Sequence, residues 1–246
     1  MALVSVIIPY YKKINHIKKT LNSVLNQTFQ NFEIILIYDD PILDDLLFLE
    51  DITKGNSKIK IIKNLNNLGA GESRNIGMKN ASGEVIAFLD ADDYWFPNRL
   101  ERQLHFMKKN NYKFTFCNYK KKMKNKIINI IRKNSKINHK DLLTDCQIGL
   151  STVFISRDLI KENLFPPLQT KEDLVAWLSI TKNNICAYNF PDSLVEWSFS
   201  ENSLSSNFVQ KLFDGFRVYN TYLNFNFIKS LYYLFMLSIN SIKRKF

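Results

Sequence analysis

A cluster of carboxylates has the clearest chemical potential in this sequence. Asp90, Asp92 and Asp93 lie within four residues of one another, directly after the apolar pair Phe88-Leu89. Ionised carboxylates held this close repel one another, and a bound divalent cation removes that repulsion. Oxygen ligands of this kind suit Mg²⁺ or Mn²⁺ shared with substrate phosphates. The alternative is that the acids cap a helix beginning near Pro97, since acidic side chains are favourable in a first turn.

Several other common sites are excluded. The sequence contains no G-x-x-x-x-G-K-[ST] motif, which excludes a P-loop. Gly69 and Gly71 begin a dinucleotide fingerprint, but Arg74 stands where its third glycine is required. A calcium-binding loop starting at Asp90 fails because Tyr94 and Trp95 replace a required acid and a required glycine.

The acidic cluster follows the last of four strand-like segments. Apolar runs of strand length alternate with segments of helical periodicity, the strands at residues 3–8, 33–38, 59–63 and 84–89. This alternation predicts an α/β fold with a Rossmann-like, mostly parallel sheet and helices on both faces. Ligands of such sheets bind beyond the carboxyl ends of the strands. The acidic pair Asp39-Asp40 also follows a strand, so we expect it near the cluster at Asp90.

The pattern changes after residue 111. Residues 112–119 and 127–131 are typical of strands joined by a turn at 120–126, and residues 141–185 are typical of helix. The last forty residues are aromatic and compatible with helix. We predict a domain over residues 1–206, with a nucleotide-binding half at 1–111 and an acceptor half at 112–206, followed by a C-terminal helical extension at 207–246.

The net charge of +11 is concentrated in one segment. Residues 102–140 contain 13 basic and no acidic side chains, whereas the chain on either side is nearly neutral. Such a segment indicates an anionic partner, either a phosphate-bearing acceptor or an anionic membrane. It is also compatible with a solvated, lysine-rich face. Few aromatic residues are interleaved with the lysines, so we expect no nucleic-acid partner.

Cysteine usage and hydropathy favour a cytoplasmic protein. The three cysteines are widely spaced and predict neither a disulfide framework nor a zinc site. The apolar run at residues 231–237 is far shorter than the about 20 residues of a membrane-spanning helix. With the terminal Lys243-Arg244-Lys245 it is compatible with an interfacial helix, with packing on the domain or with a homodimer contact. A peripheral position on the cytoplasmic face of the inner membrane is therefore one expectation.

Five sequence blocks, in order, resemble family-2 glycosyltransferases with the GT-A fold. The blocks are Val4–Tyr11, Leu21–Phe29, Ser73–Gly77, Gly83–Asp93 and Lys171–Leu178, and Ser193–Trp197 with Glu201–Ser205 resemble the family's closing segment. The resemblance implies inverting, Mn²⁺- or Mg²⁺-dependent transfer of a hexosyl or N-acetylhexosaminyl group. The implied donor is a nucleoside diphosphate sugar, with UDP expected. The implied acceptor is a glycan or glycolipid of cell-surface polysaccharide synthesis.

The resemblance also implies roles for residues around the donor. Tyr11 would stack on the nucleotide base, and Asp40 would accept the base's imide N–H, a role that Asp39 could also take. Arg74 would pair with phosphate or hold a carboxylate of the acidic cluster. Asp92 would ligate the metal. The complete implied donor-binding set is Pro9, Tyr11, Asp39, Asp40, Arg74, Asp90, Ala91 and Asp92.

On the acceptor side, Asp173 matches the family's catalytic base, which removes the proton of the attacking hydroxyl. Glu172 and Trp177 are implied to lie beside it. The alternative is that the two acids only begin a helix. The chain departs from the family at Pro41-Ile42, where Gly-Ser is usual, and at Ser198, where Arg is usual. These departures support a rival interpretation, a catalytically lapsed nucleotide-sugar-binding protein.

Overall fold

The computed structural model describes residues 3–124, 126–132, 134–198 and 207–243. Its first part alternates strands with helices as the sequence predicts. The elements are β1 (Val4–Tyr10), α1 (Ile14–Leu25), β2 (Phe32–Tyr38), α2 (Asp44–Thr53), β3 (Ile59–Lys63), α3 (Gly69–Asn80) and β4 (Val85–Phe88). β1 pairs in parallel with β2 and β4, and β2 pairs in parallel with β3. The carboxyl ends of these strands therefore share one edge of the sheet.

The second part completes the same sheet with different geometry. Its elements are β5 (Tyr94–Trp95), α4 (Arg99–Lys109), β6 (Phe114–Met123), β7 (Lys126–Ile130), β8 (Lys136–Ile137), α5 (His139–Thr144), β9 (Phe154–Ser156), α6 (Glu172–Thr181) and β10 (Ala187–Ser198). The strand order is β3-β2-β1-β4-β9-β6-β10-β5. β9 runs antiparallel to both β4 and β6, while β10 is parallel to β6. The α/β class is as expected, but the sheet is parallel only in its first part and mixed as a whole.

Two segments differ from the sequence expectation. The basic stretch expected as a turn at residues 120–126 is mostly strand, because β6 continues to Met123 and pairs with both β7 and β10. Residues 141–185 are α-helical only at α5 and α6, with two 3-10 turns at Leu150–Thr152 and Arg157–Leu159. Between them lies β9, which bridges β4 and β6 in the middle of the sheet. Pairing with these two neighbouring strands decides the structure of this segment.

Close packing fixes α3 against the first strand. A Cβ added at Gly77 would lie 2.4 Å from Cγ2 of Ile7, so only glycine allows the helix this near. Ile7 is fully buried, as are the neighbouring residues of β1. The helix that carries Arg74 is thereby held at a fixed height above the sheet.

The C-terminal extension packs on the domain through α7 (Phe208–Arg217), a five-residue π-helical segment (Val218–Tyr222) and α8 (Phe227–Lys243). The Tyr219 hydroxyl donates to the Leu143 carbonyl at 2.8 Å, and Asn240 Nδ2 donates to the Thr144 carbonyl at 3.0 Å. Leu237 is buried in the same core as α5 and α6. Of the three alternatives expected for this segment, the structure shows packing on the domain. The expected domain boundary at residue 206 and the resemblance at Glu201–Ser205 lie outside the described residues.

None of the described helices has the length and apolarity to cross a membrane.

Candidate active site

A cavity of about 840 Å³ opens where β1, β2 and β4 end and α6 begins. This is the edge at which the strand pattern places a ligand, and the volume is typical of small-molecule sites. The expected site residues that line it are Pro9, Tyr11, Asp39, Arg74, Asp90, Ala91, Asp92, Glu172 and Asp173. Residues far apart in the sequence therefore meet in one cavity.

Arg74 joins the acidic cluster to the start of α6. Its Nη2 donates to Asp90 Oδ1 at 2.8 Å, and its Nη1 donates to Glu172 Oε1 at 2.9 Å. Arg74 is only 3% exposed, and the two carboxylates raise the pKa of its guanidinium despite the opposing effect of burial. Of the two roles expected for Arg74, the structure displays the structural one, in which it holds a carboxylate of the motif.

Glu172 and Asp173 occupy the first turn of α6, directly after Lys171. Burial raises the pKa of Glu172 to about 7, although Arg74 acts in the opposite direction. Burial also raises the pKa of Asp173, and the charge of Lys171 opposes that shift. Asp173 Oδ1 accepts the N–H of Leu174 at 2.7 Å, which leaves Oδ2 for another partner. A carboxylate with a raised pKa is a stronger proton acceptor than an ordinary aspartate.

Asp92 forms an ion pair within the cavity lining. Lys13 Nζ donates to Asp92 Oδ2 at 2.7 Å, so a lysine at the start of α1 offsets its charge. In the described part of the chain, no group of three or more His, Cys, Asp or Glu is arranged to hold a metal ion. Within the acidic cluster, the carboxylates of Asp90 and Asp92 line the cavity and are partly exposed, whereas that of Asp93 is buried. That donor set fits a Mg²⁺ or Mn²⁺ whose other ligands are phosphate oxygens and water.

Asp93 is turned away from the solvent. Ser151 Oγ donates to its Oδ2 at 2.5 Å, and the backbone N–H of Ser198 donates to its Oδ1 at 3.0 Å. Burial, followed by the charges of Asp90 and Asp92, raises the pKa of Asp93 well above its usual range. Ser198, one of the two departures from the family pattern, thus contributes its backbone to the acidic motif.

Asp39 organises the loop that precedes α3. Its Oδ1 accepts from Asn64 Nδ2 at 2.7 Å and from the N–H of Leu68 at 2.9 Å, and its Oδ2 accepts from the N–H of Gly69 at 2.8 Å. Gly69 has a φ of +82°, a conformation that glycine adopts without strain. Asp39 lines the cavity and retains some capacity to accept a further donor, because a carboxylate has about four acceptor sites.

Asp40, which is expected as the base-binding carboxylate, does not line the cavity. Its side chain is buried, and Oδ1 accepts the N–H of Ile42 at 3.1 Å. The Ile42 carbonyl in turn accepts the hydroxyl of Tyr38 at 2.6 Å. The unusual Pro41-Ile42 pair is therefore integrated into the loop. Of the acidic pair, only Asp39 lines the cavity, and Tyr11 also lines it and is 43% exposed.

Trp177 also departs from its expected role on the acceptor side. Its ring is completely buried and packs against Phe114 and Phe165, with centroid distances of 5.3 and 6.0 Å. It lies one turn beyond Asp173, on the core face of α6. Trp177 therefore anchors the helix that carries the carboxylates and does not contact a ligand.

Comparison with known proteins decides the identity of the chain. A sequence model described as Glycosyl transferase family 2 matches residues 5–157, more than half of the chain. The chain belongs to glycosyltransferase family 2. Two named relatives, both of Escherichia coli, support this membership. The UDP-Glc:alpha-D-GlcNAc-diphosphoundecaprenol beta-1,3-glucosyltransferase WfgD is 37% identical, covering 98% of this chain and 94% of its own. WfaP, which carries the same activity name, is 39% identical and covers 77% of this chain and 74% of its own.

Solved structures agree with the GT-A fold of this glycosyltransferase. Staphylococcus aureus TarS in complex with UDP-GlcNAc superposes with a TM-score of 0.75 at 23% identity, over 90% of this chain and 65% of TarS. A Pyrobaculum calidifontis mannosyltransferase with bound GDP-Man and Mn²⁺ gives 0.70 at 14% identity, over 98% of this chain and 73% of that one. The rival interpretation of a lapsed binding protein gives way to that of an enzyme of bacterial glycan synthesis.

Several cavity-lining residues of the glycosyltransferase are absent from the sequence expectation. They include Lys13, Tyr119, Ser151, Lys171, Trp197 and Lys211. Lys171 and Trp197 lie in blocks that resemble the family but have no implied role there. Lys13 follows Tyr11 by two residues, and this proximity to an expected site residue is the one signal that could have indicated it. The expected cations of residues 102–140 do not line the cavity in the described part of the chain. The cations there are Lys12, Lys13, Arg74, Lys171 and Lys211.

Proposed function

We propose that this glycosyltransferase moves glucose from UDP-glucose to a lipid-linked GlcNAc diphosphate, with inversion at the transferred carbon. The names of WfgD and WfaP supply the donor and acceptor, and the similarity to WfgD extends over nearly the whole of both chains. The observation that carries the proposal is Arg74, which ties Asp90 to Glu172 inside a single cavity. A donor-side carboxylate and the base-bearing helix are thereby held at a fixed separation.

Asp173 acts as the base in this mechanism. It accepts the proton of the acceptor hydroxyl while that oxygen forms a bond to the anomeric carbon. The bond from the anomeric carbon to the phosphate oxygen breaks on the opposite side, and UDP departs with the bonding electrons. The raised pKa of Asp173 favours this proton transfer, and a positioned base typically contributes about 10²–10⁴-fold.

The departing diphosphate needs positive charge close to its oxygens. A bound Mn²⁺ or Mg²⁺ would neutralise that charge, and Asp92 with Asp90 are the carboxylates to hold it. Lys13, which contacts Asp92, adds a second positive charge from the chain itself. Asp93 does not reach the metal in this mechanism; its hydrogen bond from Ser151 fixes the loop that carries Asp90 and Asp92.

The proposed transfer is tested with purified protein, UDP-glucose and a synthetic lipid-linked GlcNAc diphosphate. Wild-type protein should form a β-linked disaccharide product, and Asp173→Asn should abolish it while UDP binding persists. Asp158→Asn, which alters an exposed surface pair with Lys113, is the matched control and should retain activity. Turnover by Asp173→Asn would refute the assignment of the base.

Metal dependence is tested separately. A chelator should remove transfer, and added Mn²⁺ or Mg²⁺ should restore it. Asp92→Asn should raise the Mn²⁺ concentration needed for half-maximal activity, because one of the two accessible carboxylates is lost. Full activity in the presence of the chelator would eliminate the metal from the mechanism.

We also propose that the C-terminal extension makes a peripheral contact with an anionic membrane. Its two helices expose a series of large apolar side chains: Phe208, Val209, Phe213, Phe227, Ile228, Leu231, Tyr232, Phe235 and Ile242. Residues 207–246 contain six basic side chains and one acidic side chain, Asp214, which is buried. A symmetric dimer through this face would bring like charges together, whereas anionic lipid attracts them.

Sedimentation with vesicles of phosphatidylglycerol and phosphatidylcholine tests the membrane contact. The double variant Phe213→Ser, Phe235→Ser should sediment less than wild type, whereas a Leu65→Ser control, exposed but remote in sequence, should not differ. Equal sedimentation of wild type and double variant would refute the contact. A change from dimer to monomer in the variant, without any effect on sedimentation, would assign the face to a homodimer.

A further inference from the structure

Two lysines that the mechanism does not use line the cavity on the side of the catalytic carboxylates. Lys171 directly precedes Glu172 and Asp173, and Lys211 comes from α7 of the C-terminal extension. Lys171 has a φ of +67°, a left-handed conformation that costs a lysine about 1 kcal/mol or more. Such strain persists at functional sites where the surrounding structure imposes it. The backbone thus holds a charged side chain beside Asp173 at an energetic cost.

Asp214 explains how α7 reaches the active site. Its carboxylate is fully buried, and Oδ2 accepts from both the N–H of Thr170, at 3.0 Å, and the Thr170 hydroxyl, at 3.1 Å. Gln210 Nε2 donates to the same oxygen at 3.0 Å. Thr170 immediately precedes Lys171, so α7 is bonded directly to the segment that carries the catalytic carboxylates. Lys211 shares this helix and therefore has a defined position in the cavity.

The chemistry of these elements matches the parts of a lipid-linked acceptor. Lys171 and Lys211 line the same cavity as Asp173, and Phe208 and Phe213 are exposed on α7, the helix that carries Lys211. A base, two cations and an apolar surface match a sugar hydroxyl, a diphosphate and a lipid. For the donor diphosphate, positive charge is available from Lys13, which pairs with Asp92.

We infer that Lys171 and Lys211 bind the diphosphate of the lipid-linked acceptor, and that the exposed face of α7 and α8 receives its lipid. This inference rests on the proposed function, because it assigns residues to the acceptor named there. Two diphosphates in one cavity need two cationic centres, since like charges at short distance repel strongly. The ammonium group of lysine is a compact charge with three donors on a flexible stem. It can therefore contact a phosphate of an acceptor that enters the cavity from a membrane.

The test compares two acceptors that share the GlcNAc and the alkyl chain, one with a diphosphate between them and one without. Lys211→Gln and Lys171→Asn are measured against Lys54→Gln, an exposed lysine next to α2. Asparagine is chosen at position 171 because it tolerates positive φ. Each cavity variant should raise the KM for the diphosphate acceptor about tenfold or more, the effect of removing one charged hydrogen bond. The KM for UDP-glucose should remain within about twofold of wild type for both variants. Transfer to the neutral acceptor should also remain so for Lys211→Gln, whereas Lys171→Asn is not judged by that rate because the charge of Lys171 also acts on Asp173.

An unchanged KM for the diphosphate acceptor would overturn the inference. So would a raised KM for UDP-glucose, which would place the lysines on the donor. Lys211→Arg should recover most of the lost affinity because it keeps the positive charge, and failure of that rescue also counts against a phosphate contact. Wild-type protein that transfers to neither acceptor would instead refute the proposed function. The two failures are therefore distinguishable.

Discussion

Replacing Glu172 with glutamine should change how the stability of the enzyme depends on pH. Burial raises the pKa of Glu172 to about 7, against an ordinary value of 4.5. Between these two values the folded protein keeps a proton that the unfolded chain has lost. The free energy of unfolding therefore falls by about 1.4 kcal/mol for each pH unit in that window and is constant above it.

The size of the effect follows from these two pKa values. From pH 5 to pH 8 the wild-type protein should lose about 2–3 kcal/mol of stability through Glu172 alone. Glutamine carries no charge at either pH, and its amide oxygen can still accept from Arg74 Nη1. The variant should therefore equal wild type approximately at pH 5 and exceed it by about 2–3 kcal/mol at pH 8.

Urea unfolding of full-length protein at pH 5 and pH 8 measures this difference. Glu50→Gln, on the exposed face of α2, removes the same charge from solvent and should change little between the two pH values. A Glu172→Gln variant whose stability relative to wild type is the same at both pH values would refute the reasoning. Burial would then not raise the pKa of Glu172 to about 7.

Three further predictions concern the framework of the site. Arg74→Gln should cost about 3–5 kcal/mol in urea unfolding, because Glu172 loses its buried cation; a cost below about 1 kcal/mol would contradict the bridge. Asp214→Asn should lower kcat several-fold and leave UDP affinity unchanged, as measured by steady-state kinetics and calorimetry, with Asp158→Asn as control; a weaker UDP affinity at constant kcat would argue against positioning of the base. Gly77→Ala should lower stability by about 1–3 kcal/mol through contact with Ile7, whereas Lys79→Ala on the exposed side of the same helix should be nearly neutral. Equal stability of these two variants would show that α3 can move away from β1.

The sequence predicts the first part of the fold well because its signals there are local. The buried strands read as continuous apolar runs, and the helices between them have regular periodicity. Most of the expected donor-side residues reach the cavity, since they follow strands whose carboxyl ends coincide. Asp40 is the exception. The direction in which each member of an adjacent acidic pair points depends on loop hydrogen bonds, here to Ile42, that no periodicity encodes.

The acceptor side was less predictable for a different physical reason. β9 joins the sheet through pairings that are distant in sequence, so the expectation of helix is wrong where the chain forms this strand. Trp177 follows the catalytic carboxylate at helical spacing, and only the packing of α6 shows that its ring faces the core. Lys211 lines the cavity because a buried carboxylate, Asp214, attaches α7 to Thr170. Such a contact has no sequence signature.

The way Asp93 is held has a consequence for the synthesis of the protein. Its two hydrogen-bond donors, Ser151 and Ser198, come 58 and 105 residues later in the chain. At about 5–20 residues per second, the last of them leaves the ribosome about 5–20 s after the acidic motif. During that interval the nucleotide-binding part of the sheet can form, but Asp93 remains an ordinary hydrated acid. The finished arrangement of the carboxylates is therefore among the last features to assemble, and a chain interrupted before β10 would carry the acidic motif without the geometry that makes it an active site.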